Sequence, residues 1–391
     1  LSAQELVNGP YLEKAHNYRP GVPLESLSLH SKTIETIQQR LSGHGLWKHQ
    51  TDALDLILKG QNAIIATGTS SGKTLCYQIP ILDDLLRDPS PGLRAVIIYP
   101  LNALVNDQLT EWDRMLQNHP RITFARFTGQ TPDSQLKYVE RIRDTERGKL
   151  VDKGLTQRQL QQEVERQVTE HLNRDLPNRL NHREAIRATP PQVLITNFSM
   201  LEYLLERPVD ASIFENARLK FLVLDEAHAY RGVQSTEIAF LIRRVKDRLG
   251  LESLTCIATS ATLGKKDDPE SREKVRQFAS NLFDETFSED NPIYGESAEP
   301  TLKQPVFKIL PSQYLQIAEM LRTDPAADVG HLLGGRTSNQ SLAELLAYDD
   351  NLYRLRKTLT QATRLDAAAK AIWPQDPQSN EGLQAFLEIV A

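Results

Sequence analysis

Residues 62–74 read NAIIATGTSSGKT. A short apolar run, NAIIA, leads into a loop built almost wholly of glycine and hydroxyl residues, and a lysine stands near its end. An unbroken run of this kind, rich in β-branched residues, is how a strand buried on both faces looks. Further runs of the same type follow: AVIIY at 95, QVLIT at 192, FLVLD at 221 and LTCIA at 254. Helical patterns fall between them, as in TLCYQIPILDDLL at 74–86 and STEIAFLIRRVKDRL at 235–249. Strand and helix alternate, so the expected fold is α/β, a three-layer domain with a mostly parallel sheet. Ligands of such sheets bind at the carboxyl ends of the strands.

Residues 133–190 break the rhythm. They hold 12 Lys/Arg and 10 Asp/Glu with few large apolar residues, and read as a charged helical insertion. Residues 1–30, with Pro10, Pro20, Gly21 and Pro23, read as an extended arm. The α/β domain is expected over 31–310, and 311–391 as a small helical, winged-helix-like module. The chain has 391 residues, 40% hydrophobic and 25% charged, with a net charge of −5. No bulk basic field draws it to a polyanion, so any nucleic acid must be held locally. Cys76 and Cys256 are the only cysteines. They form no CxxC pair, which excludes a disulfide framework and a cysteine zinc site and suits a reducing cytoplasm. No apolar run reaches the length of a membrane span. The opening LSAQELVNGP lacks an initiator methionine, and the ending LEIVA is abrupt; a piece of a longer protein is the expectation.

The loop after NAIIA has phosphate-binding character. Small residues let backbone N–H groups close on an anion, and the start of the following helix adds positive partial charge. Lys73 is then aimed at the outer phosphates of a nucleotide, and the Thr74 hydroxyl at Mg²⁺. The strict G-x-x-x-x-G-K-[ST] pattern is broken by Thr67. A Gly/Ser turn with a solvated lysine is the competing reading. About 150 residues on, FLVLDEAH ends a strand in two adjacent carboxylates. Asp225 suits a magnesium ligand and Glu226 a base for the attacking water. An acidic helix start is the alternative. Together the two motifs read as the halves of one NTPase site.

The runs GLWKHQTDAL, TGTSSGKTLCY, YPLNALVNDQL, RFTGQTP, VLITNFSMLEYLL, DEAHAYRG and ATSATLG, in that order, resemble the superfamily 2 helicases of the DEAD/DEAH type. The wording is similar to the MrfA-type DNA-repair branch, near the large helicases of phage-defence systems such as Druantia's DruE. The resemblance implies an N-terminal RecA-like lobe over roughly 45–265, driven by ATP and Mg²⁺. Gln50 would read adenine, beside His49 and Trp47. Thr69, Ser70, Ser71, Gly72, Lys73 and Thr74 would hold phosphate, with Thr74 and Asp225 on the metal. Lys73, Asp225, Glu226 and His228 would be catalytic, and His228, Ser260 and Thr262 would couple hydrolysis to movement. Asn102, Thr128, Gly129, Thr196, Asn197 and Arg231 would contact the nucleic-acid backbone, which the branch implies is DNA. Such contacts position a strand without reading bases.

The resemblance also implies partners: a second RecA-like lobe and, in a defence system, further subunits. The second lobe's Q-x-x-G-R-x-x-R motif is absent from 265–391, where GGR at 334–336 has the wrong spacing. Its arginines stabilise the transferring phosphate, so this chain is expected to hydrolyse ATP slowly at best by itself. A nucleotide-gated scaffold that recruits other subunits, and an RNA helicase, stand as alternatives.

Overall fold

A computed structural model describes residues 11–12, 18–41, 43–68, 71–153, 155–230, 232–252, 254–261, 263–264, 266–296, 298, 305–324, 329, 332, 346, 348–359 and 363–390. The chain forms two compact units. One is Tyr18–Glu296, and the other joins Leu1–Asn17 to Ser297–Ala391. The expected boundaries at 30 and 310 therefore differ from those of the α/β unit, which takes in Tyr18 and Leu24, both buried.

Numbering starts in the smaller unit with β1 (Tyr11–Leu12). The larger unit then runs α1 (Ser31–Leu41), α2 (Lys48–Leu58), β2 (Ala63–Ala66), α3 (Lys73–Arg87), β3 (Ala95–Tyr99), α4 (Asn102–Leu116) and β4 (Phe124–Phe127). Next come α5 (Gln135–Leu150), α6 (Gln157–Arg174), β5 (Arg179–Leu180), α7 (Arg183–Ala188), β6 (Val193–Asn197), α8 (Phe198–Glu206) and α9 (Ser212–Glu215). It closes with β7 (Phe221–Leu224), α10 (Val233–Leu249), β8 (Thr255–Ser260), α11 (Pro269–Phe283) and β9 (Ile293–Tyr294). The eight strands form one sheet in the order β5-β4-β6-β3-β7-β8-β2-β9, and every pairing is parallel.

The apolar runs explain this sheet. Side chains alternate across a strand, and here both faces are covered. Ala63, Ile65, Ile97 and Val223 belong to one core, while Ile64, Val96, Ile98, Leu222 and Leu224 belong to the other. Each buried Val, Leu or Ile contributes about 1.5–3 kcal/mol. A polar substitution on either face would therefore lose core, so no residue of β2, β3 or β7 is free to be hydrophilic. Function is pushed to the strand ends.

Three strands of the sheet escaped the periodicity. β4 carries Arg126 in its middle, and β5 and β9 are two residues long. β5 lies inside the charged stretch 133–190, so that stretch is a helical hairpin plus a return to the sheet edge. The hairpin, α5 and α6, has a small core of its own made by Tyr138, Ile142, Leu150, Val164 and Val168. Ser134 caps α5 and Thr156 caps α6, each by accepting a backbone N–H from the first turn.

In the smaller unit, β1 pairs antiparallel with β10 (Thr363–Arg364). Helices Pro311–Thr323, Asp350–Thr358, Leu365–Ile372 and Ser379–Val390 pack around Tyr314, Trp373 and Phe386. Much of 325–345, including the GGR stretch, lies outside the described residues. Among the described residues no helix is long and apolar enough to cross a membrane.

Candidate nucleotide site and strand-holding edge

The sheet order sets three strand tips side by side: β7, β8 and β2. Ala66 of β2 pairs in register with Ser260 of β8, and Leu224 of β7 with Ala258. The loop after β2 and the Asp225-Glu226 pair after β7 thus flank the end of β8. Lys73, the first residue of α3, spans the gap. Its Nζ lies 3.3 Å from Thr67 O and 3.3 Å from Glu226 Oε1. Two motifs 153 residues apart meet through that ammonium.

Thr67, which breaks the glycine pattern, has a local role. Its hydroxyl is 2.5 Å from the Ser71 hydroxyl and its N–H donates to Ser260 O at 3.1 Å. The loop is thereby tied across its own mouth and to β8. Gly72 has φ +74°, a left-handed conformation that costs an L side chain about 1–2 kcal/mol. A Cβ there would also collide with the Gln50 side-chain nitrogen. Gln50 is buried and fully engaged: Oε1 accepts from Trp47 N at 2.8 Å, and Nε2 donates to Gly72 O at 3.0 Å. His49 Nε2 is 2.9 Å from Ser71 O, and burial pulls its pKa down, which favours the neutral ring. Gln50 and His49 therefore clamp the loop from the side where adenine contact is expected.

Asp225 is held from three directions. The Thr259 hydroxyl donates to its Oδ1, the Glu226 N–H reaches Oδ1 at 3.2 Å, and the Tyr77 hydroxyl reaches Oδ2 at 3.4 Å. Tyr77 OH is 2.7 Å from Tyr99 OH, and both rings are buried. Burial pushes the Asp225 carboxyl up; the Thr259 hydroxyl opposes that shift. Glu226 has φ +50°, strained for a residue with a side chain. The turn swings its carboxylate off the strand axis toward Lys73. His228 Nδ1 lies 3.0 Å from Glu226 Oε2 and 3.2 Å from Ser260 Oγ. His228 and Ser260, expected to couple, thus meet beside the carboxylate. Thr259 and Tyr77 were not foreseen. Only strand register sets Thr259 next to Asp225, and Tyr77 reads as core until its hydroxyl is located.

The residues expected to hold a strand behave differently. Thr196 is fully buried and its hydroxyl donates to Phe127 O at 2.7 Å. Thr128 is buried too; its hydroxyl accepts from Gln130 N at 3.2 Å, and its N–H donates to Thr131 Oγ1 at 3.0 Å. Asn197 caps α8 through Met200 N at 2.8 Å and donates to Asn102 Oδ1 at 2.7 Å. Gly129 is exposed, and space for a Cβ exists there. The two threonines are braces, while Asn102 and Asn197 are half-buried and Gly129 is exposed. Thr69, Ser70, Arg231 and Thr262 lie outside the described residues.

The donor set suits the expected ligands. An ammonium and a helix start meet phosphate, and a hydroxyl (Thr74) with one buried carboxylate is the hard oxygen set that Mg²⁺ shares with phosphates. Thr74 stands one turn of α3 before Tyr77, whose hydroxyl reaches Asp225 Oδ2 at 3.4 Å.

Fold and strand-tip geometry define a RecA-like α/β lobe. The DEAD/DEAH box helicase family model matches residues 47–146 and 155–268, and the chain belongs to that family. The Druantia protein DruE of Escherichia coli is 32% identical over 68% of this chain and 19% of its own length. The ATP-dependent helicase YprA of Bacillus subtilis is 30% identical over 59% of this chain and 25% of its own. The chain thus spans a quarter or less of these relatives. A DUF1998 helicase MrfA crystallised with DNA shares the fold at 22% identity and TM-score 0.51, over 80% of this chain and 35% of its own.

Proposed function

We propose that this chain is the ATP-binding motor lobe of an ATP-dependent DNA helicase or translocase that works in the cytoplasm with a second RecA-like lobe. The observation that carries the reading is Lys73, held between the loop carbonyl of Thr67 and the carboxylate of Glu226. A triphosphate entering the loop would draw the ammonium to its outer phosphates and free Glu226. Glu226, turned off its strand and next to His228, is then placed to orient a water and accept its proton. Asp225 and Thr74 would hold Mg²⁺, which neutralises charge building on the phosphate oxygens. Proton acceptance at Glu226 alters its attraction to the His228–Ser260 pair, a route from hydrolysis to movement of the β8 end.

The similarity to DruE supports a role in anti-phage defence, and the DNA-bound relative supports DNA over RNA. The test is ATPase of the intact protein with single-stranded DNA, with RNA, and with neither. DNA-stimulated turnover that Lys73→Ala abolishes is the expected result. Stimulation by RNA alone would redirect the reading, and function surviving Glu226→Ala would favour the scaffold. Strong unwinding by the 391-residue chain without a partner would remove the need for a second lobe.

A further inference from the structure

Arg126 and Arg141 are two guanidinium groups without an ion pair among the described residues. Arg126, in the middle of β4, donates to the Asn106 side-chain oxygen on α4. Arg141, exposed on α5, donates to the carbonyl of Gln130. Both flank the loop 128–131, whose Thr131 hydroxyl donates to Arg126 O at 3.0 Å. Three acids of this corner are engaged elsewhere. Asp113 pairs with Arg179 at 2.8 Å, Asp175 accepts from the Tyr138 hydroxyl at 2.7 Å, and Asp133 pairs with Lys137 and Arg183. Burial, then the nearby charges of Arg179 and Arg141, pull the Arg126 pKa down to about 10. Arg126 and Arg141 therefore carry charge that no ion pair among the described residues neutralises. A partly buried cation bound to a neutral amide costs free energy, and an anion from outside would recover it.

The position gives that anion an identity. Asn102 and Asn106 are four residues apart on α4, so they share one helix face. Asn102 is bonded to Asn197 at the end of β6, and Asn106 to Arg126 on the neighbouring β4. Amide and guanidinium donors thus form a row that follows the sheet order from β6 across β4 to the α5–α6 insertion. Spaced donors with no base-reading pocket match a phosphodiester backbone. We propose that Arg126 and Arg141 bind successive backbone phosphates of a nucleic-acid strand, so that the insertion extends the strand path beyond Asn102 and Asn197. This rests on the motor reading above, since it takes the same ligand along the same edge.

The experiment measures binding of a fluorescent single-stranded DNA to the intact protein between 50 and 300 mM salt, in the presence of a nonhydrolysable ATP analogue (salt range on the order of that used for counterion analysis). Arg126→Gln with Arg141→Gln should weaken binding about tenfold and lower the slope of log affinity against log salt by about 1.4, two contacts at roughly 0.7 each. Arg141→Gln alone changes only an exposed helix position and should lower the slope by about 0.7. Lys274→Ala removes an exposed cation on α11 that is paired with Glu270 and should change neither. Unchanged affinity and slope in both arginine variants would overturn the proposal while leaving the motor reading intact. A wild-type protein that binds the analogue but no oligonucleotide would overturn the nucleic-acid reading itself.

Discussion

The tips of β2, β7 and β8 and the tips of β4 and β6 are written in the same alphabet of threonine, serine, asparagine and glycine, yet they are built differently. At the first, polar groups are held under tension. Lys73 is shared between two oxygens, Glu226 sits at positive φ, and Asp225 is buried with its pKa raised. At the second, the threonine hydroxyls are satisfied by backbone groups, and the asparagine amides and Arg126 bond one another. A site meant to do chemistry stores unfavourable placement, whereas one meant to grip a featureless polymer needs rigidity and donors.

The widest test of that contrast is at the first site. Lys73→Ala should cut DNA-stimulated ATP hydrolysis about 10²–10³-fold, as expected for loss of a charge aimed at developing negative oxygen. Glu226→Gln should cut it about 10²–10⁴-fold while nucleotide affinity, read by a fluorescent analogue, holds. Equal loss of binding in both variants would mean that Glu226 acts on the ground state and not on the water.

Gly72→Ala probes the loop itself. It adds a Cβ in a left-handed conformation and against the Gln50 amide. A stability loss of about 1–3 kcal/mol and weaker nucleotide binding are expected in chemical denaturation and titration. An alanine variant with wild-type affinity would show that the Gln50 clamp is dispensable.

Thr259→Val sharpens the electrostatic half. The hydroxyl lowers the pKa of Asp225 against burial, so its loss raises that pKa further. A carboxyl whose folded pKa exceeds its unfolded one binds more protons when folded, so stability falls as pH rises from about 4 through the folded value. In the valine variant that falling limb should extend to higher pH, and the acid limb of ATPase should move the same way. About 1–3 kcal/mol of stability at neutral pH should go with it. Superimposable Tm–pH curves would dismiss the bond.

The smallest effect is at the second site. Thr196→Val deletes the bond to Phe127 O and should cost about 1 kcal/mol of stability, with DNA affinity changed less than twofold. A large affinity loss at unchanged Tm would make Thr196 a direct contact and erase the contrast.

Much of this was legible. NAIIA, AVIIY and FLVLD announced strands covered on both faces because a parallel sheet permits no polar residue there. TSSGKT and DEAH pointed to the proposed nucleotide site because phosphate and magnesium accept few residue types. FARF was not legible as a strand, since Arg126 interrupts the apolar run at the sheet's edge region, where one face is not wholly closed. Thr128 and Thr196 were legible only as polar residues at strand ends; the Thr128 hydroxyl is taken by Gln130 N two residues on, and that of Thr196 by the carbonyl of Phe127, 69 residues away in the chain.

By itself, then, the order of residues determined the layers of the lobe and the identity of the groups proposed to meet nucleotide, because burial and charge restrict composition locally. Tertiary structure alone decided that Thr259 steadies Asp225, that Gln50 clamps Gly72, and that Arg126 and Arg141 share one corner. These depend on strand register and on the return of the insertion to the sheet, and pairings between distant segments leave no mark on either segment's own pattern.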